Sequence, residues 1–107
     1  MKGILFSHGL VIRQDSEVYR ILDCKLDDFT VSVTTLHSKQ STKGHTHSQE
    51  EFYVILKGKP TLEIGSLSSV MNEYEVAVIP KDIFHKVINE SNSDISFLCI
   101  FKDANGK

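Results

Sequence analysis

Alanine, the best helix former, occurs only at Ala77 and Ala104, and no window repeats apolar residues at i, i+3, i+4 and i+7 over a helix length. Helical architectures are excluded, and so are parallel α/β sheets, whose crossovers need helices. Basic clusters are missing too: 12 Lys+Arg stand against 14 Asp+Glu, a net charge of −2. A surface built to displace counterions from nucleic acid is therefore not expected. Long apolar runs are lacking. The opening Gly3-Ile4-Leu5-Phe6 is broken by Ser7 and His8 before it reaches signal-peptide length, and nothing approaches a membrane span, so a cytoplasmic protein with no membrane partner is expected. Cysteine appears only as Cys24 and Cys99, each in an apolar stretch, which reads as two reduced core residues rather than a bridge. No glycine-rich phosphate loop exists, since Gly44 and Gly58 are isolated, and no serine has a nucleophile context. No repeat, low-complexity tract or linker divides the chain. At 107 residues it reads as one domain, 1–107, too short for a cleft between two lobes.

What is abundant is strand chemistry. Val, Ile and Thr number 25, joined by six Phe and three Tyr. Alternation predicts strands at about residues 10–14, 18–24, 29–37, 51–57, 60–64, 68–71, 75–79, 84–89 and 95–102. Turn-forming clusters separate them, among them Asp27-Asp28, Gly58-Lys59-Pro60, Gly65-Ser66 and Pro80-Lys81-Asp82. Many short strands at this spacing imply an all-β sandwich or barrel. Asp103 to Lys107 reads as a polar tail.

Three of the five histidines invite a chemical reading. In Gly44-His45-Thr46-His47-Ser48-Gln49-Glu50-Glu51, His45 and His47 are two apart, so extended backbone points both imidazoles the same way. Glu51 follows at the entry of a strand that, returning antiparallel, can carry its carboxylate to the same point. Two His and one Glu begin a metal site, although a solvated polar turn has the same composition. His85, in Pro80-Lys81-Asp82-Ile83-Phe84-His85-Lys86-Val87-Ile88-Asn89, sits in an otherwise apolar strand, where a lone histidine is ordinarily a hydrogen-bonded core residue.

Taken together, these segments resemble the cupin superfamily, whose first motif is Gly-(x)5-His-x-His-(x)3,4-Glu-(x)6-Gly and whose second is Gly-(x)5-Pro-x-Gly-(x)2-His-(x)3-Asn. His45, His47, Glu51 and Gly58 match the first, and Pro80, His85 and Asn89 the second. Lys39 and Tyr74 stand where each motif opens with Gly, and Asp82 replaces the Gly of Pro-x-Gly. Those are turn positions, so the departures bear on local geometry and not on the ligand set. The resemblance spans about residues 29–102. It implies a double-stranded β-helix, or jelly-roll, cupin barrel with His45, His47, Glu51 and His85 in its mouth around a divalent transition metal: Fe, Mn, Ni, Co or Zn. It also implies a homodimer, with the N-terminal strands of residues 4–24 at the interface.

An octahedral ion held by three imidazoles and one carboxylate keeps two adjacent positions open, which suits a chelating oxygen anion. Alternation places Tyr53 and Ile55 on the ligand side of their strand and turns Glu50, the competing carboxylate, to solvent. Tyr53 is the candidate pocket residue, by its phenol or by packing. Asn89 reads as a structural hydrogen-bonding residue, Phe84, Phe97 and Phe101 as core, and His8 and His37 as ordinary histidines. The first functional expectation is a metal-dependent enzyme, an isomerase, lyase or dioxygenase acting on a small polar or anionic molecule such as a sugar, sugar acid or 2-oxo acid. The second is a non-catalytic module that binds a metal or metabolite. A seed-storage-like structural role is disfavoured by the chain's brevity.

Overall fold

Alternation across extended backbone organises the chain from Gly9 to Lys102, the residues that the computed structural model describes. Nine strands form: β1 (Val11–Asp15), β2 (Tyr19–Leu26), β3 (Phe29–Leu36), β4 (Glu51–Lys57), β5 (Thr61–Ile64), β6 (Leu67–Val70), β7 (Val76–Ile79), β8 (His85–Ile88) and β9 (Ile95–Lys102). Each stretch expected to be extended is a strand, its ends displaced by no more than two residues. The Ile4 start of the N-terminal segment, His8 and the polar tail of residues 103–107 lie outside the described residues.

The strands build two antiparallel sheets, ordered β1-β2-β3-β9-β4-β7 and β6-β5-β8. This is the all-β jelly-roll barrel. Neighbours in the large sheet are mostly distant in sequence, as β9 inserts between β3 and β4, so the fold is held by long-range pairing. Leu36, Ile55, Ile79, Ile95 and Phe97 of that sheet meet Leu62 and Val87 of the small one, with Met71 closing the core. Each such side chain, fully buried, contributes about 1.5–3 kcal/mol. The core occupies one end of the barrel. Toward the other end the inward rungs admit polar groups: Asp23 and Ser32 share one with Cys99 and Tyr53, and Thr30 and Glu51 share the next with Phe101 and Ile79.

The outward face of the large sheet is apolar as well. Ile12, Leu22, Val33, Leu98, Val54 and Val76 form a continuous rung across all six strands, and Cys24, Val31, Ile100, Phe52 and Val78 form a second. Cys24 and Cys99 therefore point to opposite faces. Both are free thiols; Cys99 is buried as expected, whereas Cys24 is only half-buried, outside the core. Phe97 is buried, but Phe84, expected in the core, is 48% exposed. It precedes β8 by one residue, on the phase opposite His85, and its ring covers Gly44 instead. Phe101 is half-buried against the cavity described below. No helix among the described residues is long and apolar enough to cross a membrane.

Candidate metal centre

Two local devices bring the motif histidines together. His45 lies outside the named strands, in the segment between β3 and β4, yet its backbone pairs with that of His85 through two hydrogen bonds of 3.0 and 3.1 Å. That pairing sets the two imidazoles side by side. The carbonyl of His47 is held in turn by the Asp82 amide at 2.8 Å. Glu51 opens β4 in the large sheet, while His85 opens β8 in the small one, so the cluster closes the gap between the sheets at the barrel mouth.

The three rings pack around one point, with centroids 4.6 to 4.9 Å apart. One ligand atom from each of His45, His47, Glu51 and His85 falls within 4.8 Å of all the others. Nδ1 of His47 donates to the Gln49 carbonyl at 3.0 Å, and Nδ1 of His85 to the Ile83 carbonyl at 3.1 Å. These bonds fix the tautomer and leave each Nε2 with a lone pair facing inward. Glu51 Oε1 lies 2.7 Å from Nε2 of His47 and 3.5 Å from Nε2 of His85. Even so, Glu51 Oε1 and His85 Nε2 are buried with no hydrogen-bond partner. Converging lone pairs without a donor are the arrangement that could hold a cation. The donor set of nitrogens and one carboxylate fits a transition metal better than Mg or Ca, which prefer oxygen.

Electrostatics sort the imidazoles. Burial lowers the pKa of His45, and the neighbouring His85 and His47 lower it further. Burial also opposes charge on His85, but the Glu51 carboxylate 3.5 Å away and the Ile83 carbonyl outweigh that, and its pKa is raised. A proton on His85 and a metal ion are thus alternative ways to compensate Glu51.

The cluster opens onto a cavity of about 450 Å³, within the usual size range for small-ligand sites. Tyr53 lies on the cluster side of β4, buried, stacked on Phe97 at 5.2 Å and edge-on to His85 at 5.9 Å. Burial first, then the adjoining Cys99 and the charge on Glu51, pushes its phenol pKa far up. Glu50 is exposed, as alternation requires. Asn89 is fully buried away from the cluster: Nδ2 donates to the carbonyls of Leu36, His37 and Ser93, and Oδ1 accepts from the Ser91 amide and hydroxyl. His37 contacts Asp94, also outside the cluster.

Alternation alone did not reveal that Ser32, Thr34, Cys99, Arg13 and Lys43 line the cavity. On β3 it is Thr30, Ser32 and Thr34 that are buried, with Val31 and Val33 facing out. A reader who places valines inside chooses the wrong phase. The available signal was Glu51, whose rung neighbour Thr30 follows once the strand order is known.

The cupin domain family model matches residues 32–101. No curated protein matches. Among solved structures, a cupin-2 domain from Rhodospirillum rubrum superposes with TM-score 0.77 at 14% identity, over 95% of this chain and 74% of that one. A cupin 2 conserved barrel domain protein from Salinispora arenicola gives 0.80 at 17%, over 97% and 93%. A sugar phosphate isomerase of the cupin superfamily from Silicibacter pomeroyi gives 0.73 at 20%, over 80% and 60%. With motif spacing, jelly-roll topology and a domain match covering most of its length in agreement, the chain belongs to the cupin domain family.

Proposed function

We propose that this cupin is a metal-dependent enzyme acting on a small polar or anionic substrate, a sugar, sugar acid or 2-oxo acid, with His45, His47, Glu51 and His85 as the metal ligands. The carrying observation is the pair of buried, partnerless atoms, Glu51 Oε1 and His85 Nε2, facing the same point as the other two imidazoles at the wall of a cavity. A bound Fe, Mn, Ni, Co or Zn ion supplies Lewis-acid or redox chemistry there, fitting an isomerase, lyase or dioxygenase. The chain's own contribution is orientation and shelter. Gln49 and Ile83 carbonyls hold two imidazoles in place, Phe97, Tyr53 and Ile21 keep water from one wall, and Ser32 and Thr34 offer hydroxyls. The likeness to a sugar phosphate isomerase supports a carbohydrate-type substrate. The proposal includes a cytoplasmic homodimer, joined through the apolar outward face to which β1 and β2 contribute.

One observation favours a second reading, a non-catalytic binding module. Burial raises the pKa of both Tyr53 and Cys99, so neither readily yields a proton at neutral pH. The cavity is short of acid and base groups outside the cluster.

Elemental analysis of purified protein tests the site, with about one transition-metal ion per chain expected. His47→Ala should lower that content at least tenfold while the circular dichroism of the fold persists. Metal content near zero after reconstitution would overturn the assignment. Loaded protein is then offered a panel of sugar phosphates, sugar acids and 2-oxo acids, with and without dioxygen. Turnover lost in His47→Ala supports the enzyme, and no turnover of any member establishes the binding module instead.

A further inference from the structure

The cavity has an end that the metal cluster does not use. Opposite Ile21, where the register of β1 against β2 slips between Ile12 and Gln14, Arg13 is the extra residue of a β-bulge. Such bulges commonly re-aim a side chain at a site, and Arg13 lines the cavity. Its Nε bonds the carboxylate of Asp23, on the inward rung of Ser32 and Cys99. One of five guanidinium donors is spent on that bond, and the side chain is still 55% exposed. Cys99 shares the rung of Asp23 and Ser32, and the next rung holds Glu51, so the inward wall runs from the Arg13 partner to the cluster. Ser32 and Thr34 place hydroxyls along the same wall.

We infer that Arg13 is the anion anchor of the substrate: the ligand is a hydroxylated chain that meets the metal cluster at one end and presents a terminal anion, carboxylate or phosphate, to the guanidinium at the other. Geometry gives the reason. A guanidinium steadied through Nε keeps its paired terminal amino groups for a planar or tetrahedral anion, the fork geometry at which arginine excels. A polyol chain fits the Ser32 and Thr34 wall, where a hydrocarbon would leave hydroxyls unpaired. Lys43, the other cation of the lining, is the neighbour of Gly44 on the His45 segment, at the metal end.

This inference rests on the metal site proposed above, and its test separates the two. Wild-type, Arg13→Gln, Arg13→Lys and Lys43→Gln proteins are loaded with Co(II), whose visible spectrum reports the metal site. Each is titrated calorimetrically with glucose, glucuronate and glucose 6-phosphate at low salt. Expected is a preference of at least tenfold for an anionic sugar over glucose in wild-type protein, reduced to threefold or less in Arg13→Gln, partly restored in Arg13→Lys and retained in Lys43→Gln. Glucose affinity and the Co(II) spectrum should not change. Whichever anionic sugar binds tighter identifies the terminal group as carboxylate or phosphate. Normal cobalt uptake with no preference, or a preference untouched by Arg13→Gln, overturns the anchor alone. Failure to take up cobalt overturns the metal site and the anchor with it.

Discussion

Among the described residues, three other than glycine hold left-handed backbone: Lys39 at φ 65°, Tyr74 at 70° and Asp82 at 65°. They stand at three of the four positions where the cupin motifs carry glycine, so the turns have kept their shape while losing the residue that adopts it most easily. For an L-residue this region costs about 1–2 kcal/mol, against about 0.5–1 kcal/mol of extra chain entropy that glycine would lose on folding. Asp82→Gly should therefore be neutral or stabilising by up to about 1 kcal/mol in urea unfolding. Gly58 is the opposite case. Its φ is 89°, and a Cβ there would collide with the Ile95 side chain under the core. Gly58→Ala adds left-handed strain to overpacking and should cost about 2–4 kcal/mol. Equal effects of the two substitutions would contradict this account. The motif glycines were legible as turn positions; that Lys39, Tyr74 and Asp82 would keep the glycine conformation was not, because a residue's name does not report its φ.

At the scale of elements, Asn89 joins the end of β8 to the end of β3. It is buried, and its amide satisfies carbonyls of Leu36 and His37 from one side and Ser93 from the other. Asn89→Ala would strand several buried carbonyls and amides at once, so a loss of about 3–5 kcal/mol is expected. Metal uptake at low temperature should remain, since nothing of Asn89 reaches the cluster. Lost uptake in protein shown to be folded would instead place Asn89 in the site. Strands themselves were legible nearly to the residue, because turn residues and period-2 runs are local signals. Register and phase were not. Thr30, Ser32 and Thr34 face inward and Val31 and Val33 outward, and Ser32 and Thr34 line the cavity at the barrel mouth. A local pattern shows that faces differ, and only the neighbouring strands decide which is interior. Glu51, Tyr53 and Ile55 could be phased because the motif named Glu51 a ligand. Arg13, on a bulge beyond the motifs, had no such reference.

The inverted phase has a consequence for the whole molecule. An antiparallel sheet is stable with one face to water when that face is polar, but here the outward side carries two apolar rungs, from Ile12 to Val76 and from Cys24 to Val78. At about 4.8 Å between strands, six strands and two rungs with their flanks cover an area on the order of 400 Å² in projection. A patch of this size is about the largest a monomer ordinarily exposes, and such patches often serve as contact surfaces. The next rung, Arg20, Thr35, Ser96 and Lys57, is polar and gives the patch the rim typical of an interface. In the proposed homodimer a second copy supplies the matching surface, two such sheets packing face to face about 10 Å apart as a sandwich and jointly covering about 800 Å² in projection, the low end of protein–protein contacts. Sedimentation at tens of micromolar should therefore find about twice the 12.1 kDa chain mass. Val54→Arg, in the middle of the first rung and half-buried, should shift the protein to monomer by setting like charges against each other in a desolvated contact. Cobalt uptake by that variant tells whether the site needs the partner: Val54 points away from the cavity, so each barrel should still load one ion. A wild-type monomer at these concentrations would assign the apolar face to another occupant, with residues 1–8 of the same chain the first to test by deletion.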